Sequence, residues 1–411
     1  MSTAPHARFA RPVLPHDLGV EVVERKGLGH PDTLADAIAE LASIRYSEYC
    51  LGEFGAVLHH NLDKVAVLGG RARFGDFDGA YDRPVRIVFG GRISTSFGGH
   101  EIPVREILEA AAAEQLRAAL PGFDHIAWEV RHETTDSSKF PYWFAPRDLS
   151  DLPERPVAFS NDTAFLVATA PRTEAETVTL LTEAWFSRLP WAGSDIKALV
   201  IRDGQAFTVT ACVPAVAGHL NSSAELEDAV TDAAQELADR LAGRLPGPVQ
   251  VVCNTRNTRD GPLSSQYFTL SGSAIDYGED GLVGRGNTRS GLITPGQQAG
   301  NETLFGKNAA YHVGKVGGWL VDETALALAR RAGPCRIAAI WRNGSSYPDP
   351  AALEITTRPP YELGFGEIAD LVHDSLRRTD WIPDLVGARR YLPTVLDVDE
   401  LLAELAPLTA S

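Results

Sequence analysis

The chain has 411 residues, 44% apolar and 22% charged side chains, and a formal net charge of −16. This is the composition of an ordinary globular protein, and at roughly 150 residues per domain it suggests two to three domains. The acidic balance argues against nucleic acid as a partner, since such a partner needs a basic face to displace counterions. The chain has no 18-residue apolar run and no apolar leader in its first 17 residues, and Cys50, Cys212, Cys253 and Cys335 form no C-x-x-C pair. A cytoplasmic protein with reduced thiols and no membrane partner is therefore expected.

In chain order, residues 1–17 are polar and contain proline, and they read as a loose arm. Leu34, Ile38 and Leu41 share one face and predict a helix over 33–50. Apolar runs predict strands at 57–60 and 84–93, with His59 and His60 pointing to opposite faces. An Ala-rich helix follows over 104–120, closed by Pro121-Gly122. Thr173 and Glu176 form a capping-box pattern that opens a helix over 173–189. Asp203-Gly204, between two β-rich runs, predicts a hairpin over 197–213. The pattern then gives a helix over 223–245, strands at 249–253 and 267–270, a helix over 311–331, a buried strand at 336–341 and a helix over 365–378. Hairpins and helices alternate without a regular βαβαβ rhythm, which favours α+β domains with mixed or antiparallel sheets.

Four polar segments stand apart from these elements. Glu24-Arg25-Lys26-Gly27-Leu28-Gly29-His30-Pro31-Asp32 precedes a helix. Its glycines permit close approach of a ligand, and the helix N-terminus favours an anion. His30 can donate to a leaving oxygen, and Asp32 is a hard oxygen ligand of the kind Mg²⁺ takes. The same segment also reads as a Gly-Pro turn with Asp32 or Thr33 capping the helix. Ser160-Asn161-Asp162-Thr163 is otherwise an Asx-type turn. In Ser194-Asp195-Ile196-Lys197, Asp195 and Lys197 would share a strand face. The last runs from Gly278-Glu279-Asp280-Gly281 through Arg285, Gly306-Lys307-Asn308 and His312-Val313-Gly314-Lys315, and is too polar for a core. It misses both the dinucleotide fingerprint and the P-loop spacing, and no H-E-x-x-H or G-x-S-x-G is present.

Taken in order, stretches 20–40, 57–70, 161–171, 193–202, 281–295 and 306–315 resemble archaeal-type S-adenosylmethionine synthetase (methionine adenosyltransferase), over roughly residues 20 to 335. The resemblance implies three similar α+β domains about a pseudo-threefold axis, with intertwined segments. The domains would cover about 18–150, 151–262 and 263–411, with segments exchanged between them. It implies a homodimer, with a tetramer as the alternative, whose active sites take residues of both subunits. In the implied reaction the sulfur of methionine attacks C5′ of ATP and displaces tripolyphosphate, which is then hydrolysed to pyrophosphate and phosphate. Mg²⁺ is the implied cofactor, with K⁺ a further candidate.

By the same resemblance His30 lies at the breaking C5′–O bond, and Asp32 binds Mg²⁺. Lys197, Arg285, Lys307 and Lys315 clamp the phosphates, with Lys26 a weaker candidate. Asp195, Glu279 and Asp280 hold metal or orient the amino-acid ammonium, while Asn161, Asp162 and His312 lie in substrate-binding stretches. Only six of the 38 basic residues are lysine, and all but Lys139 fall within or beside these stretches. The chain departs from the family at His132-Glu133-Thr134-Thr135, where Gly-Gln-Gly-Ser is usual. It also departs at Glu279, at Ala309 and Tyr311, and after Thr163. These changes leave open a paralogue that uses another adenosyl acceptor or only cleaves the triphosphate.

Overall fold

The structure, a computed structural model, describes residues 7–8, 13–75, 79–155, 157–358 and 363–405. Of the arm expected over 1–17, residues 1–6 and 9–12 lie outside the described residues. The rest is not loose: β1 (Ala7–Arg8) joins a sheet edge and Pro15–Asp17 form a 3₁₀ turn.

In chain order the principal elements are β2 (Val20–Lys26), α1 (Pro31–Phe54), β3 (His60–Leu68), β4 (Val85–Ile93), α2 (Val104–Ala119) and β5 (Trp128–His132). Next come β6 (Ala164–Ala170), α3 (Glu174–Ser187), β7 (Lys197–Asp203), β8 (Ala206–Cys212), α4 (Ser223–Ala242) and β9 (Val249–Cys253). The chain closes with β10 (Gly281–Leu282), α5 (Val313–Ala332), β11 (Cys335–Trp341), β12 (Ala352–Thr357), α6 (Phe365–Leu376) and α7 (Val398–Glu404).

Three four-stranded sheets repeat one pattern: β10-β3-β4-β5, β2-β7-β8-β9 and β6-β11-β12-β1. In each, the first strand and the central pair run antiparallel and the last strand is parallel to its neighbour. The three units interlace cyclically. After β2 the chain leaves that sheet, and α1 packs on β3 of another; after β6, α3 packs on β2 and β7; after β10, α5 packs on β6 and β11. No contiguous range of 18–150, 151–262 or 263–411 therefore holds a whole sheet, because each sheet takes its first strand from elsewhere in the chain.

Each sheet and its helices enclose a separate core. Leu34, Ile38, Val65, Phe89 and Leu108 fill one, Val23, Trp185, Val200 and Leu226 the second, and Leu166, Trp319, Ile337 and Trp341 the third. The alternating burial of β6 places Ala164, Leu166, Ala168 and Ala170 on the covered face. Local signals fix the helix starts: Thr173 and Glu176 complete their reciprocal capping box. Gly204, at φ 57°, makes the hairpin turn between β7 and β8. The strand expected at 57–60 begins only at His60, and a bulge between Asn61 and Lys64 breaks its alternation.

Candidate active site

The first polar segment folds because two glycines are pressed against backbone. A Cβ on Gly27 would lie 2.5 Å from the Ile196 carbonyl oxygen, and one on Gly29 2.8 Å from the Ser194 carbonyl carbon. Gly27 N–H donates to Ile196 O at 2.8 Å and Gly29 N–H to Ser194 O at 2.9 Å. The turn is anchored from behind by buried Glu183 of α3, which accepts from Leu28 N–H at 2.7 Å and from Arg25 Nε at 2.6 Å. The consequence is a convergence of segments far apart in sequence. Lys26 and Lys197 are paired across β2 and β7, beside the N-terminus of α1.

His30 is the N-cap of α1. Its Nδ1 accepts from Asp32 N–H at 3.1 Å, which leaves the hydrogen on Nε2. Burial pushes the imidazole down to about 4, against the pull of Asp32 and reinforced by Lys26 and Lys197, so the ring is neutral near pH 7. Asp32 is also buried, which alone would raise its pKa. Lys26 Nζ at 2.9 Å from Oδ2 and Leu282 N–H at 3.0 Å from Oδ1 outweigh that and hold the carboxyl low. Lys26 also donates to Arg285 O at 2.6 Å. Asn287 fixes the Lys26 backbone on both sides, accepting from its N–H and donating to its carbonyl.

Lys197 is half-exposed, 3.2 Å from Glu24. Asp195 is buried and accepts from Ala274 N–H at 2.9 Å; burial, aided by Glu279 and Asp276, raises it to about 6. Arg285, Glu279 and Asp280 are exposed, and Asp280 accepts from Gly69 N–H at 2.9 Å. Lys26, His30, Asp32, Asp195, Lys197 and Arg285 thus form one group.

A second group surrounds the start of α5. His312 caps that helix, Asn161 accepts from Val313 N–H at 2.9 Å, and Lys307 pairs with Glu302 and lies 3.8 Å from Asp63. Burial, with Lys307, Lys315, Lys64 and His60 around it, keeps His312 well below its usual range. Asp162 is exposed, and its side chain accepts from Thr163 N–H. Lys315 is fully buried, with both oxygens of Glu40 against its ammonium.

The sequence reading missed Asp36 and Glu40. With Asp32 they recur every four residues along one face of α1, and all three are buried. Asp36 accepts from Gly284 N–H at 2.8 Å and is raised well above its usual range, chiefly by burial. Acids at i, i+4 and i+8 in an otherwise Ala- and Leu-rich helix were the available signal.

Among the described residues, no cluster of three or more His, Cys, Asp and Glu side chains is placed to hold a metal, and no helix is long and apolar enough to cross a membrane. The donors at hand are single carboxylates, Asp32 against Lys26 Nζ and Asp280 against Gly69 N–H.

Fold and site together define an α+β protein of three interlaced sheets, with a group of fixed cations and carboxylates at a helix N-terminus. The sequence profile described as S-adenosylmethionine synthetase (AdoMet synthetase) matches residues 10–346, and the chain belongs to that family. It is 35% identical over 333 residues to an S-adenosylmethionine synthase of Aeropyrum pernix, covering 76% of this chain and 78% of that one. It is 34% identical over 326 residues to that of Thermoplasma volcanium, with the same shares covered. Uncharacterized proteins of Streptococcus pyogenes match at 35% over 359 residues, covering 84% of this chain and 87% of theirs. A structure described as an unusual S-adenosylmethionine synthetase from Campylobacter jejuni shares the fold at TM-score 0.58 and 14% identity, covering 93% of each chain.

Proposed function

We propose that the protein is a methionine adenosyltransferase: the methionine sulfur displaces tripolyphosphate from C5′ of ATP, and the tripolyphosphate is then hydrolysed to pyrophosphate and phosphate. The observation that carries this reading is the neutral His30, with Nε2–H free to donate, beside Lys26 and Lys197 at the N-terminus of α1. Displacement leaves negative charge on the departing oxygen. A donor and two ammonium groups already in place stabilise it without reorganisation. Arg285 and Lys307 supply further cations, whereas Lys315 holds Glu40 and so fixes the loop that carries Lys307.

Mg²⁺, with K⁺ as a further candidate, would supply charge neutralisation on the phosphate oxygens. Mg²⁺ is commonly held by one or two carboxylates plus substrate phosphates, and Asp32, kept ionised, with Asp280 fits that donor set. Asp195 and Glu279 suit an ammonium group, and Asn161, Asp162 and His312 belong to the substrate-binding stretches. The reading includes a cytoplasmic homodimer, or tetramer, with sites shared between subunits. Incubation of pure protein with ATP, Mg²⁺ and methionine should yield S-adenosylmethionine, pyrophosphate and phosphate, and no product at high enzyme would reject the proposal.

One observation favours a paralogue with another acceptor, or one that only cleaves triphosphate. Tyr311, a departure from the family, meets in space a residue of the segment that follows another. Trp143, in the segment following His132–Thr135, stacks on His59 at 4.1 Å, and Tyr311, beside His312, meets the same ring edge-on at 5.3 Å. A panel of sulfur amino acids separates the readings, since methionine must give the highest kcat/KM if the first holds.

A further inference from the structure

Arg25 lies between Glu24 and Lys26 in β2 but on the other face. The alternating burial of the strand puts Glu21, Val23 and Arg25 on the side that α3 covers, and Lys26 on the opposite side. There Arg25 meets Glu183 of α3. Their side chains are 4% and 2% exposed, with 2.6 Å between Nε and Oε2. Stability alone does not call for such a pair. A buried ion pair is often no better than apolar side chains of similar volume, so its presence at the edge of an apolar core needs another reason.

The reason lies in the remaining hydrogen bonds, all of which go to backbone. Glu183 Oε1 accepts from Leu28 N–H at 2.7 Å, so one carboxylate grips the chain on both sides of Lys26 and Gly27. The guanidinium donates to Gly291 O at 2.7 Å and to Thr394 O at 3.1 Å. Gly291 follows Arg285 in the segment that Asn287 ties to the Lys26 backbone. Thr394 lies beyond the stretch that matches the family. The pair thus joins α3, the loop at Gly291 and the segment at Thr394 to the turn that carries Lys26 and His30. The side chains of Lys26 and His30 make their own hydrogen bonds elsewhere, with Asp32 and Arg285. A group that holds a turn from behind, without touching what the turn presents, sets position rather than chemistry.

We propose that Glu183, oriented by Arg25, is a positioning residue for the displacement: through Leu28 N–H it holds the Lys26 ammonium and the His30 imidazole where the departing oxygen needs them. The effect on turnover rests on the reaction proposed above, and the place of the turn is read separately. Two double variants of the full-length protein test it, Arg25→Met/Glu183→Met and Arg25→Met/Glu183→Gln. Both remove the two charges together, so neither leaves an uncompensated ion in the core, and the long side chains keep the space filled. They differ in that only the second keeps an oxygen for Leu28 N–H. A shift of about 1 Å in a catalytic group can cost about a hundredfold. The first should therefore lower kcat for S-adenosylmethionine about tenfold or more with KM for ATP changed less than about threefold, and the second should restore kcat to within about threefold of the wild type. In parallel the ¹⁵N-labelled His30 ring, recognised by its loss in His30→Gln, is followed by NMR from about pH 7 to about pH 5. Burial beside Asp32, Lys26 and Lys197 should keep it neutral throughout in the wild type and the second variant, whereas in the first it gains solvent and takes up a proton within that range. Equal kcat in the two double variants, or a His30 ring that titrates alike in both, would overturn the proposal. A wild type that makes no S-adenosylmethionine would reject the reaction instead, and the His30 titration would still decide the positioning.

Discussion

Lys315 separates a structural from a catalytic cation. Its side chain and that of Glu40 are 2% and 1% exposed, and the ammonium contacts both carboxylate oxygens. Glu40 Oε2 also accepts from Gly306 N–H at 3.1 Å, so the pair secures the turn before Lys307. Lys315→Met would leave a buried, uncompensated carboxylate, and breaking such a pair from one side costs about 3–5 kcal/mol. Glu40→Gln keeps the acceptor for Gly306 but strands the ammonium, whose pKa burial already lowers and Glu40 holds up; a similar cost is expected. The double variant removes both charges and keeps the Gly306 contact. It should therefore be no less stable than either single, a strongly non-additive cycle. Urea unfolding midpoints at comparable m-values read this directly. If Lys315→Met unfolds at the wild-type midpoint yet loses turnover by about a hundredfold or more, the ammonium acts on a phosphate and the structural assignment is wrong.

Three further outcomes are expected. A Cβ at Gly281 would lie 1.9 Å from the Pro31 carbonyl oxygen, so Gly281→Ala must move β10 off the start of α1 and weaken the Leu282–Asp32 contact, costing about 1–3 kcal/mol or more; an unchanged unfolding midpoint would contradict this. His30 resists protonation until about pH 4, whereas the unfolded chain takes up that proton near 6.5, so folding stability should fall as pH drops through this window. His30→Gln should flatten that fall in urea midpoints measured from pH 7 to 4, and an identical slope would show that His30 is not its source. Lys307→Ala should lower kcat about tenfold or more beyond Arg240→Ala, which removes an exposed pair with Glu236 and a cation–π contact with Trp185. Equal effects in steady-state assays would remove Lys307 from the phosphate-handling set.

The helices and the hairpin were legible because their signals are local. Thr173 and Glu176 are three residues apart, and Asp203-Gly204 is a turn by residue type. The first strands of the sheets were not. β2, β6 and β10 pair with partners far along the chain, and β10 has only two residues, so no periodicity marks it. The strand expected at 267–270 shrinks to Phe268–Thr269, which pair with Ala215–Val216 rather than join a large sheet. The site was legible in its residue types and only partly in its geometry. His30, Asp32 and Lys26 lie within seven residues, and their contacts follow from one turn. The burial of Lys315 against a carboxylate 275 positions away has no sequence signature, because an exposed lysine and a paired one are spelled alike.

The exchange of strands between units explains why one helix organises both groups of cations. The segment carrying β10 contributes to the sheet that α1 covers, yet the helix that follows it, α5, covers another. It must therefore pass along the first half of α1, and the acids on that face receive it in order. Asp32 takes Leu282 N–H, Asp36 takes Gly284 N–H, and Glu40 takes Gly306 N–H and Lys315. Three buried carboxylates on a helix would be costly if left unmatched, and backbone donors from a single passing segment match most of that demand. Arg285 and Lys307 ride on this segment, and Lys26 and His30 sit where α1 begins. Their spacing is thus set by the pitch of a rigid helix rather than by the loops that carry them. A polyanion bridging the two groups would meet cations held in a fixed frame, which is the condition for stabilising charge that appears only as the bond breaks.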